Sequence, residues 1–323
     1  MDSPKTILKT LKAAKIILIP FHRRPDGDMV GSALAVYHFL KSLGKKSILI
    51  SADPIPENFL FLPGAKRIKM EDPAELDLSD IDVILLLDNG DPFRFTKNGR
   101  VDLPPKLLMV NIDHHDSNRG FGDLNYVVPK AASTTEILFD LFKAWRIPIG
   151  DKIATCLLTG IYTDTAGFLL PKTSHGTISK AGELVKKGGD RKAVVDKAFQ
   201  SWPVKAFRVW TTLLDNAKLK GSVAYSTLSY QEVKALGCTP ADLAAARGFA
   251  AGALLLAVDK VKRALVFSEE TPKTVRVSMR AKPGFSVDRV AKQFGGGGHT
   301  TSSAFDFEGP LKKAVSKTLH LIR

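Results

Sequence analysis

The sequence predicts an α/β protein with an N-terminal doubly wound parallel-sheet domain and a smaller C-terminal mixed α/β domain, joined by a helical connector. Two observations predict this fold class. In the first half, short runs of consecutive apolar residues alternate with helical patterns, which is typical of parallel strands covered on both faces. In the last third, strand patterns become denser. The length of 323 residues also suits two domains better than one.

The first domain is predicted over residues 1–190. Its four strands are apolar throughout rather than alternating: Ile16–Phe21, Ser47–Ile50, Val83–Leu87 and Leu107–Ile112. Its helices show helical spacing of apolar residues: Gly31–Leu43, Thr134–Trp145 and Ile153–Thr163. Strands and helices in this alternation form the βαβ units of a doubly wound sheet.

An amphipathic helical segment over residues 191–220 is predicted to connect the domains, and the second domain is predicted over residues 221–323. Its strands are rich in β-branched and apolar residues: Val223–Leu228, Ala253–Val258, Arg263–Phe267 and Thr274–Met279. Its helices are predicted at Pro240–Ala246, Val287–Phe294 and Leu311–Leu321. This order predicts a mixed α/β domain.

The composition narrows the class of protein. The chain has 47 Lys and Arg against 33 Asp and Glu, a net charge of +14, which indicates an anionic partner unless it serves solubility alone. The longest apolar run, residues 248–258, is too short to span a bilayer, which needs about 20 residues. Two cysteines exclude a disulfide framework and a cysteine-rich zinc module. We expect a cytoplasmic protein without a signal peptide.

Acidic residues and histidines follow the predicted strands where each ends. The first strand leads to His22, Asp26 and Asp28, the third to Asp88 with Asp91 and Arg94, and the fourth to Asp113, His114 and His115, while a helix leads to Asp164. The carboxyl ends of parallel strands meet at one edge of a sheet, so these side chains should lie close together.

Carboxylates crowded in this way repel one another, and bound divalent cations would remove the repulsion. A set of Asp and His ligands without Cys favours Mn²⁺, Mg²⁺ or Zn²⁺. The ligands suffice for two metals that share a carboxylate, an arrangement suited to phosphoryl transfer. Taken singly, each motif has an ordinary explanation, such as a helix cap at Asp26 or Asp28, or a turn at Asp164. Their combination favours a metal site.

A second motif lies in the C-terminal domain, where Gly295, Gly296, Gly297, Gly298 and His299 follow a predicted helix. Glycines allow the backbone to approach a ligand and to direct N–H groups at an anion. Arg280 follows the strand Thr274–Met279, and its guanidinium suits bidentate contact with phosphate. The alternative is a flexible glycine turn beside an exposed arginine.

Together these motifs resemble those of the DHH phosphoesterases, and the glycine motif with Arg280 resembles the signature of their C-terminal associated domain. The length and two-domain layout are most similar to the nanoRNase/pAp phosphatase branch. The resemblance implies ligands for two metals, bridged by Asp88: His22 and Asp26 for the first, and Asp28, His114 and Asp164 for the second. It implies that His115 contacts the scissile phosphate and that Asp113 supports both histidines. Substrate binding would fall to the remaining motif residues: Arg94, Arg280, Gly295–Gly298 and His299.

The resemblance further implies two Mn²⁺ ions per chain, with Mg²⁺ or Co²⁺ as alternatives, and a metal-activated hydroxide that attacks phosphorus in line. The substrates would be short single-stranded RNA, degraded to mononucleotides, or pAp, which would lose its 3′-phosphate, held between the two domains. Linear or cyclic dinucleotides and polyphosphate are alternatives, and a non-catalytic nucleic-acid-binding module is a different class of function. No obligate protein partner is evident, and monomer and homodimer both stay open.

The chain departs from the family pattern at two places in the second domain. Ser302-Ser303-Ala304 stands where the family has Ala-Ala-Gly, and Ala281 stands where Ser is common. Neither position holds a predicted metal ligand, so these departures bear on substrate preference rather than on hydrolysis. The predicted metal site is acidic, so we expect the basic surplus at the rim of the cleft and in the C-terminal domain.

Overall fold

The computed structural model of the chain describes residues 1–97, 99–170 and 172–322. These residues form two compact units, Met1–Ser201 and Trp202–Arg323. Each unit has its own sheet and its own hydrophobic core. The fold class predicted from the sequence is confirmed.

The first unit is built on a six-stranded sheet in the order β3-β2-β1-β4-β5-β6, in which every paired strand is parallel to its neighbour. The strands are β1 (Ile16–Phe21), β2 (Lys46–Ser51), β3 (Lys69–Met70), β4 (Val83–Leu87), β5 (Leu108–Asp113) and β6 (Leu124–Val127). The four strands predicted for this domain are therefore found, each within one residue of its predicted bounds. Strand β1 lies at the centre, where the chain order reverses direction across the sheet, and such a position commonly carries the ligand site.

Helices surround this sheet: α1 (Pro4–Ala13), α2 (Gly27–Ser42), α3 (Thr134–Ala144), α4 (Asp151–Asp164), α5 (His175–Lys186) and α6 (Arg191–Ala198). Helix α2 begins four residues before the predicted start at Gly31. The reason is its cap, since the Asp26 carboxylate accepts the backbone N–H groups of Asp28 and Met29, both at 3.1 Å. The acidic motif is thus the first turn of the helix, where apolar spacing gives no signal.

Glycines let helices α2 and α4 approach each other closely. A Cβ atom on Gly31 would lie 2.4 Å from the carbonyl oxygen of Cys156, and one on Gly160 would lie 2.4 Å from Asp28 Oδ1. Because neither contact leaves room for a methyl group, both positions require glycine. The close approach brings α4, and Asp164 at its end, beside the first turn of α2.

The second unit holds a mixed sheet in the order β11-β12-β10-β9-β8-β7, in which only β8 and β9 are parallel among the described pairs. Its strands are β7 (Lys218–Lys220), β8 (Val223–Leu228), β9 (Arg263–Thr271), β10 (Thr274–Ala281), β11 (Gly297–His299) and β12 (Ser302–Glu308). Its helices are α7 (Val204–Asp215), α8 (Tyr230–Leu236), α9 (Pro240–Phe249), α10 (Asp288–Gln293) and α11 (Leu311–Leu321).

The predicted strand Ala253–Val258 is wrong. Residues Ala250–Leu255 instead form a π-helical turn that continues α9, with Ala250, Ala251 and Leu255 buried. A short apolar run fits a buried strand and a buried helix equally well, so its pattern alone does not separate the two.

The segment 191–220, expected to connect the domains, is divided between the units. Helix α6 belongs to the first unit, and its residue Val194 is buried in that core. Helix α7 belongs to the second unit, where Ala206, Val209 and Leu213 are buried in a core with the π-helical turn. Residues Lys218–Lys220 form strand β7 rather than helix.

The basic surplus is uneven along the chain. The second unit carries 19 Lys and Arg against nine Asp and Glu, whereas the first carries 28 against 24. Most of the net charge of +14 therefore belongs to the second unit, which does not contain the acidic motifs. Across the described residues, no helix combines the length and apolar character that crossing a membrane requires.

Candidate metal centre

Asp88 is the centre of a cluster of acidic and imidazole side chains at the carboxyl edge of the first sheet. Within the first unit, three groups of residues each have possible ligand atoms that all lie within 4.8 Å of one another, and Asp88 belongs to all three groups. The groups are His22, Asp26 and Asp88; Asp28, Asp88 and His114; and Asp88, Asp113 and His115. The structure thus brings together most of the residues that the sequence predicted to meet, but Asp91 is exposed and belongs to none of these groups. Strands β1, β4 and β5 deliver them because their ends are neighbours in the parallel sheet.

The two carboxylate oxygens of Asp88 face different histidines. Oδ2 lies 3.4 Å from His22 Nε2, and Oδ1 lies 3.3 Å from His114 Nε2. His22 Nε2 is also 3.9 Å from Asp26 Oδ1, and His114 Nε2 is 3.2 Å from Asp164 Oδ2. One carboxylate therefore joins two ligand sets, the arrangement that a shared ligand of two metals needs.

The backbone at Asp88 is strained. Asp88 follows the last residue of β4 with φ of 54°, a left-handed conformation that costs a residue with a Cβ atom about 1 kcal/mol or more. Its N–H donates to the carbonyl of Ile112 in β5 at 3.1 Å, which fixes the turn. Strain of this kind is retained mainly where it positions a functional side chain.

Asp28 is held by the first turn of helix α3. Its carboxylate accepts the N–H of Thr134 at 2.6 Å, the N–H of Thr135 at 3.0 Å and the Thr135 hydroxyl at 2.7 Å. The Thr134 hydroxyl donates to Asp88 Oδ1 at 3.3 Å. Sequence reasoning missed both threonines as parts of the site, although their position at the start of a predicted helix marks a place that favours an anion.

The surroundings of the cluster shift the pKa values of its carboxyl groups in opposite directions. Burial raises the pKa of Asp28, and the nearby charges of Asp88 and Asp164 raise it further. Burial likewise raises the pKa of Asp164 to about 6 despite its hydrogen bond with His114. Burial opposes ionisation of Asp88 as well, but the histidines His114 and His22 hold its pKa well below the usual range.

This donor set fits divalent metal ions. Carboxylate oxygens and imidazole nitrogens are ligands of Mn²⁺, Mg²⁺ and Zn²⁺. A cation would relieve the repulsion that, after burial, raises the pKa values of Asp28 and Asp164. Both histidines offer Nε2 to the cluster, since Nδ1 of His22 donates to the Arg23 carbonyl at 2.9 Å and Nδ1 of His114 faces the Ala131 carbonyl at 3.3 Å.

Asp113 organises the rest of the Asp-His-His motif. Its Oδ1 accepts Nδ1–H of His115 at 2.7 Å and the N–H of His114 at 2.8 Å. Its Oδ2 accepts the amide of Asn118 at 2.7 Å, and that amide also donates to Asn111 Oδ1 at 2.6 Å. Burial lowers the pKa of His115, but hydrogen bonding and attraction to Asp113 outweigh it and raise the pKa overall. Sequence reasoning missed Asn118, which lies in a turn and shows no periodic pattern.

Arg94 lies beside the loop that follows β1. Its carbonyl accepts the N–H of Arg23 at 2.8 Å, so its backbone is tied to the residue after His22. Its side chain is exposed. Arg94 is therefore near the cluster and available to an anion.

In the second unit, the sheet places Arg280 and His299 on either side of Ser302. Arg280 pairs with Ser302 between β10 and β12, and His299 pairs with Ser302 between β11 and β12. Burial lowers the pKa of Arg280 to about 10, and its Nη1 donates to the carbonyl of Met279 at 3.0 Å. Among the residues that the structure describes in this unit, no carboxylate lies within 4.0 Å of the Arg280 guanidinium.

Part of the glycine motif lies in this sheet. Gly297 and Gly298 lie in β11 with His299, and Gly298 has φ of 129°. A Cβ atom on Gly296 would lie 2.3 Å from the carbonyl oxygen of Ala304. Ser303, one of the departures from the family pattern, donates its hydroxyl to the His299 carbonyl at 2.7 Å. Ser303 thus adds a hydrogen bond to the backbone of the predicted binding motif.

Comparison with known proteins agrees with this geometry. Residues 16–161 match the model of the DHH family, N-terminal domain. The chain is 30% identical over its whole length to the bifunctional oligoribonuclease and PAP phosphatase NrnA of Thermus thermophilus, 94% of which is covered. It is 29% identical to the probable bifunctional oligoribonuclease and PAP phosphatase NrnA of Streptococcus mutans, over 94% of this chain and 93% of that protein. The crystal structure of an exopolyphosphatase-related protein from Bacteroides fragilis superimposes with a TM-score of 0.86 at 26% identity, over 99% of this chain and 94% of that one.

Proposed function

The chain belongs to the DHH family of metal-dependent phosphoesterases, and we propose that it degrades short RNA oligonucleotides to mononucleotides and removes the 3′-phosphate of pAp. The observation that carries this proposal is the double role of Asp88, whose two oxygens face His22 and His114. Such a shared carboxylate is what a two-metal phosphoesterase requires. The names of the full-length relatives give the substrate class.

We assign the metal ligands as two sets with Asp88 in common. His22 and Asp26 form the first set, and Asp28, His114 and Asp164 form the second. We propose Mn²⁺ as the ion, with two per chain, because mixed oxygen and nitrogen donors suit it. When bound, the pair of ions supplies an activated water and stabilises charge on the phosphoryl oxygens.

The remaining roles fall to residues that do not bind metal. We propose that His115 contacts the scissile phosphate through Nε2, because Nδ1 is engaged by Asp113 at 2.7 Å. In the second unit, Arg280, the residues Gly295–Gly298 and His299 bind a phosphate of the substrate. The Arg280 guanidinium supports this role, since burial lowers its pKa to about 10 and no carboxylate among the described residues of its unit lies within 4.0 Å, so a phosphate would supply an anion. Arg94 offers a further cation beside the loop after His22.

The first test is a panel of substrates assayed with Mn²⁺: pAp, pApA, a five-nucleotide RNA, a cyclic dinucleotide and polyphosphate. We expect turnover of pAp and the short RNAs, and little of the cyclic dinucleotide or polyphosphate. Selective turnover of polyphosphate would contradict the proposal and favour an exopolyphosphatase. Binding of RNA without turnover of any substrate would favour a non-catalytic module.

The role of Arg280 has a matched control on the same strand. We expect Arg280→Ala to raise KM for the five-nucleotide RNA more than for bis-p-nitrophenyl phosphate, which lacks a second phosphate to bind. Arg276→Ala removes a guanidinium that pairs with Asp306 at 2.9 Å, and we expect it to leave both KM values unchanged. Equal losses on both substrates for Arg280→Ala would contradict the assignment.

The proposed activity fits a cytoplasmic protein, which is where we place it. Both cysteines, Cys156 and Cys238, are free. Free cysteines are usual in a reducing compartment.

A further inference from the structure

One peptide group in the loop between His22 and Asp26 is bound from both sides. The carbonyl of Arg23 accepts Nδ1–H of His22 at 2.9 Å, and the N–H of Arg24 donates to Asp53 Oδ2 at 2.7 Å. These two groups belong to the same peptide bond, which is planar and trans, so they point in opposite directions. Asp53 and His22 therefore hold opposite sides of one rigid unit.

Asp53 is well placed to fix this loop. It follows strand β2, which pairs with β1 up to the match of Ser51 with Phe21, so it stands beside the residues that follow β1. The same Asp53 oxygen also accepts Nε–H of Arg23 at 2.7 Å, and the Asp53 side chain is only 17% exposed. One carboxylate thus binds both the backbone and a side chain of the loop.

The backbone of the loop needs such an anchor. Arg24 has φ of 57°, a left-handed conformation that is unfavourable by about 1–2 kcal/mol for a residue with a Cβ atom. Pro25 follows and has no N–H with which to stabilise the turn. The hydrogen bond from the Arg24 N–H to Asp53 offsets this cost and selects the orientation of the Arg23–Arg24 peptide.

That orientation determines which nitrogen of His22 is available to the cluster. A carbonyl oxygen only accepts, so the bond to Arg23 places the proton on Nδ1 and leaves the lone pair on Nε2. Nε2 is the atom that lies 3.4 Å from Asp88 and 3.9 Å from Asp26. The negative charge of Asp53 also polarises the peptide and strengthens its carbonyl as an acceptor.

We propose that Asp53 is a positioning residue for His22, acting through the Arg23–Arg24 peptide to fix the tautomer and the ring orientation in which Nε2 binds metal. The inference rests on the proposed function in one respect, because it takes His22 as a metal ligand. Asp53 is not among the proposed metal ligands or substrate-binding residues, and its carboxylate binds Arg23 and Arg24. Its effect is that of the partners which orient metal-binding histidines from the side away from the metal.

The first experiment detects the tautomer without metal. Metal-free protein labelled with ¹⁵N-histidine is examined by NMR, and the His22 signals are identified by their loss in His22→Gln. We expect the wild type to keep a proton on Nδ1 through its hydrogen bond to the Arg23 carbonyl, and Asp53→Ala to show a fraction of His22 with Nδ1 unprotonated.

A matched control is Asp82→Ala. Asp82 accepts two backbone N–H groups at the other end of β1, those of Lys15 at 2.7 Å and Ile16 at 2.8 Å. This variant therefore loses a comparable anchor, but one remote from His22, and we expect the wild-type tautomer. A tautomer in Asp53→Ala identical to that of Asp82→Ala would overturn the proposal.

The second experiment measures metal affinity by calorimetric titration with Mn²⁺. We expect Asp53→Ala to weaken one of the two binding events by about 10- to 100-fold and to leave the other nearly unchanged. Asp53→Asn keeps an oxygen acceptor without the charge, so it should fold even if Asp53→Ala proves unstable. We expect its loss of Mn²⁺ affinity to lie between those of the wild type and Asp53→Ala. Wild-type affinity in both Asp53 variants would contradict the proposal.

The outcomes separate this inference from the proposed function. A wild-type protein that binds Mn²⁺ but cleaves neither RNA nor pAp would refute the function and leave the role of Asp53 standing. If the His22→Gln variant binds Mn²⁺ with wild-type affinity, His22 is not a metal ligand, and the role of Asp53 in metal binding is overturned.

Discussion

Replacing Asp164 by Asn should stabilise the metal-free protein while it weakens metal binding. Asp164 lies in the acidic cluster, and its pKa is raised to about 6 by burial together with the charges of Asp26 and Asp88. In the unfolded chain the same carboxyl has a pKa of about 3.9, so the folded protein holds its proton to higher pH. Ionised Asp164 therefore lowers the stability of the folded state, and Asn, which stays neutral, does not.

The size of this effect follows from the two pKa values. At pH 7.5, ionisation of Asp164 costs the folded state about 3 kcal/mol relative to the unfolded chain. At pH 5 the folded carboxyl is mostly protonated while the unfolded one is ionised, and the cost falls to about 1.5 kcal/mol. The stability of the wild type thus decreases as pH rises through this interval, and these values are upper bounds because the side chain is 20% exposed.

The assay is urea unfolding in EDTA at pH 5 and pH 7.5. We expect Asp164→Asn to have a larger free energy of unfolding than the wild type at pH 7.5, and the difference should be smaller at pH 5. The exposed control Asp80→Asn should not differ from the wild type at either pH. Addition of Mn²⁺ at about 1,000 times its Kd should reverse the order, since it stabilises the wild type by about 4.1 kcal/mol, more than the variant gains. A variant less stable than the wild type in EDTA at pH 7.5, or a gap independent of pH, would refute the reasoning.

Three other substitutions test the packing and the support of the site. Gly31→Ala forces a methyl group against the Cys156 carbonyl at 2.4 Å, and urea unfolding should show a loss of about 1–3 kcal/mol. Arg247→Ala removes a buried cation from its bonds to two serines and Glu270, and the unfolding free energy should fall by about 3 kcal/mol. Asn118→Ala removes a donor to Asp113 and should lower kcat on pAp by about tenfold with two Mn²⁺ still bound by calorimetry.

The parallel sheet was predictable because its strands are buried on both faces and are therefore apolar throughout. Val83–Leu87 is found with its predicted bounds for that reason. The apolar run around Ala253 misled the same reasoning, since it continues helix α9 as a π-helical turn. Apolar character predicts burial reliably, but in a short segment it does not distinguish helix from strand.

The cluster around Asp88 was predictable because parallel strands deliver their last residues to one edge. The residues that support it were not, because they bind the cluster from elements with no chemical signature of their own. Thr135 caps Asp28 from the start of a helix 107 residues along the chain, and Asp53 reaches the loop after His22 from the next strand. Such partners depend on three-dimensional packing and leave no local pattern in the sequence.

Asp88, as the carboxylate shared by two metals, is central to the proposed chemistry. The most direct measurement is the release of mononucleotides from a five-nucleotide RNA in Mn²⁺ by Asp88→Asn, with Asp91→Asn as the control from the same motif. Asp91 is exposed, and its carboxylate accepts the nearby N–H of Phe93 at 2.9 Å. We predict that Asp88→Asn folds but releases no more nucleotide than the wild type in EDTA, whereas Asp91→Asn retains turnover. Undiminished turnover by Asp88→Asn would contradict the two-metal site.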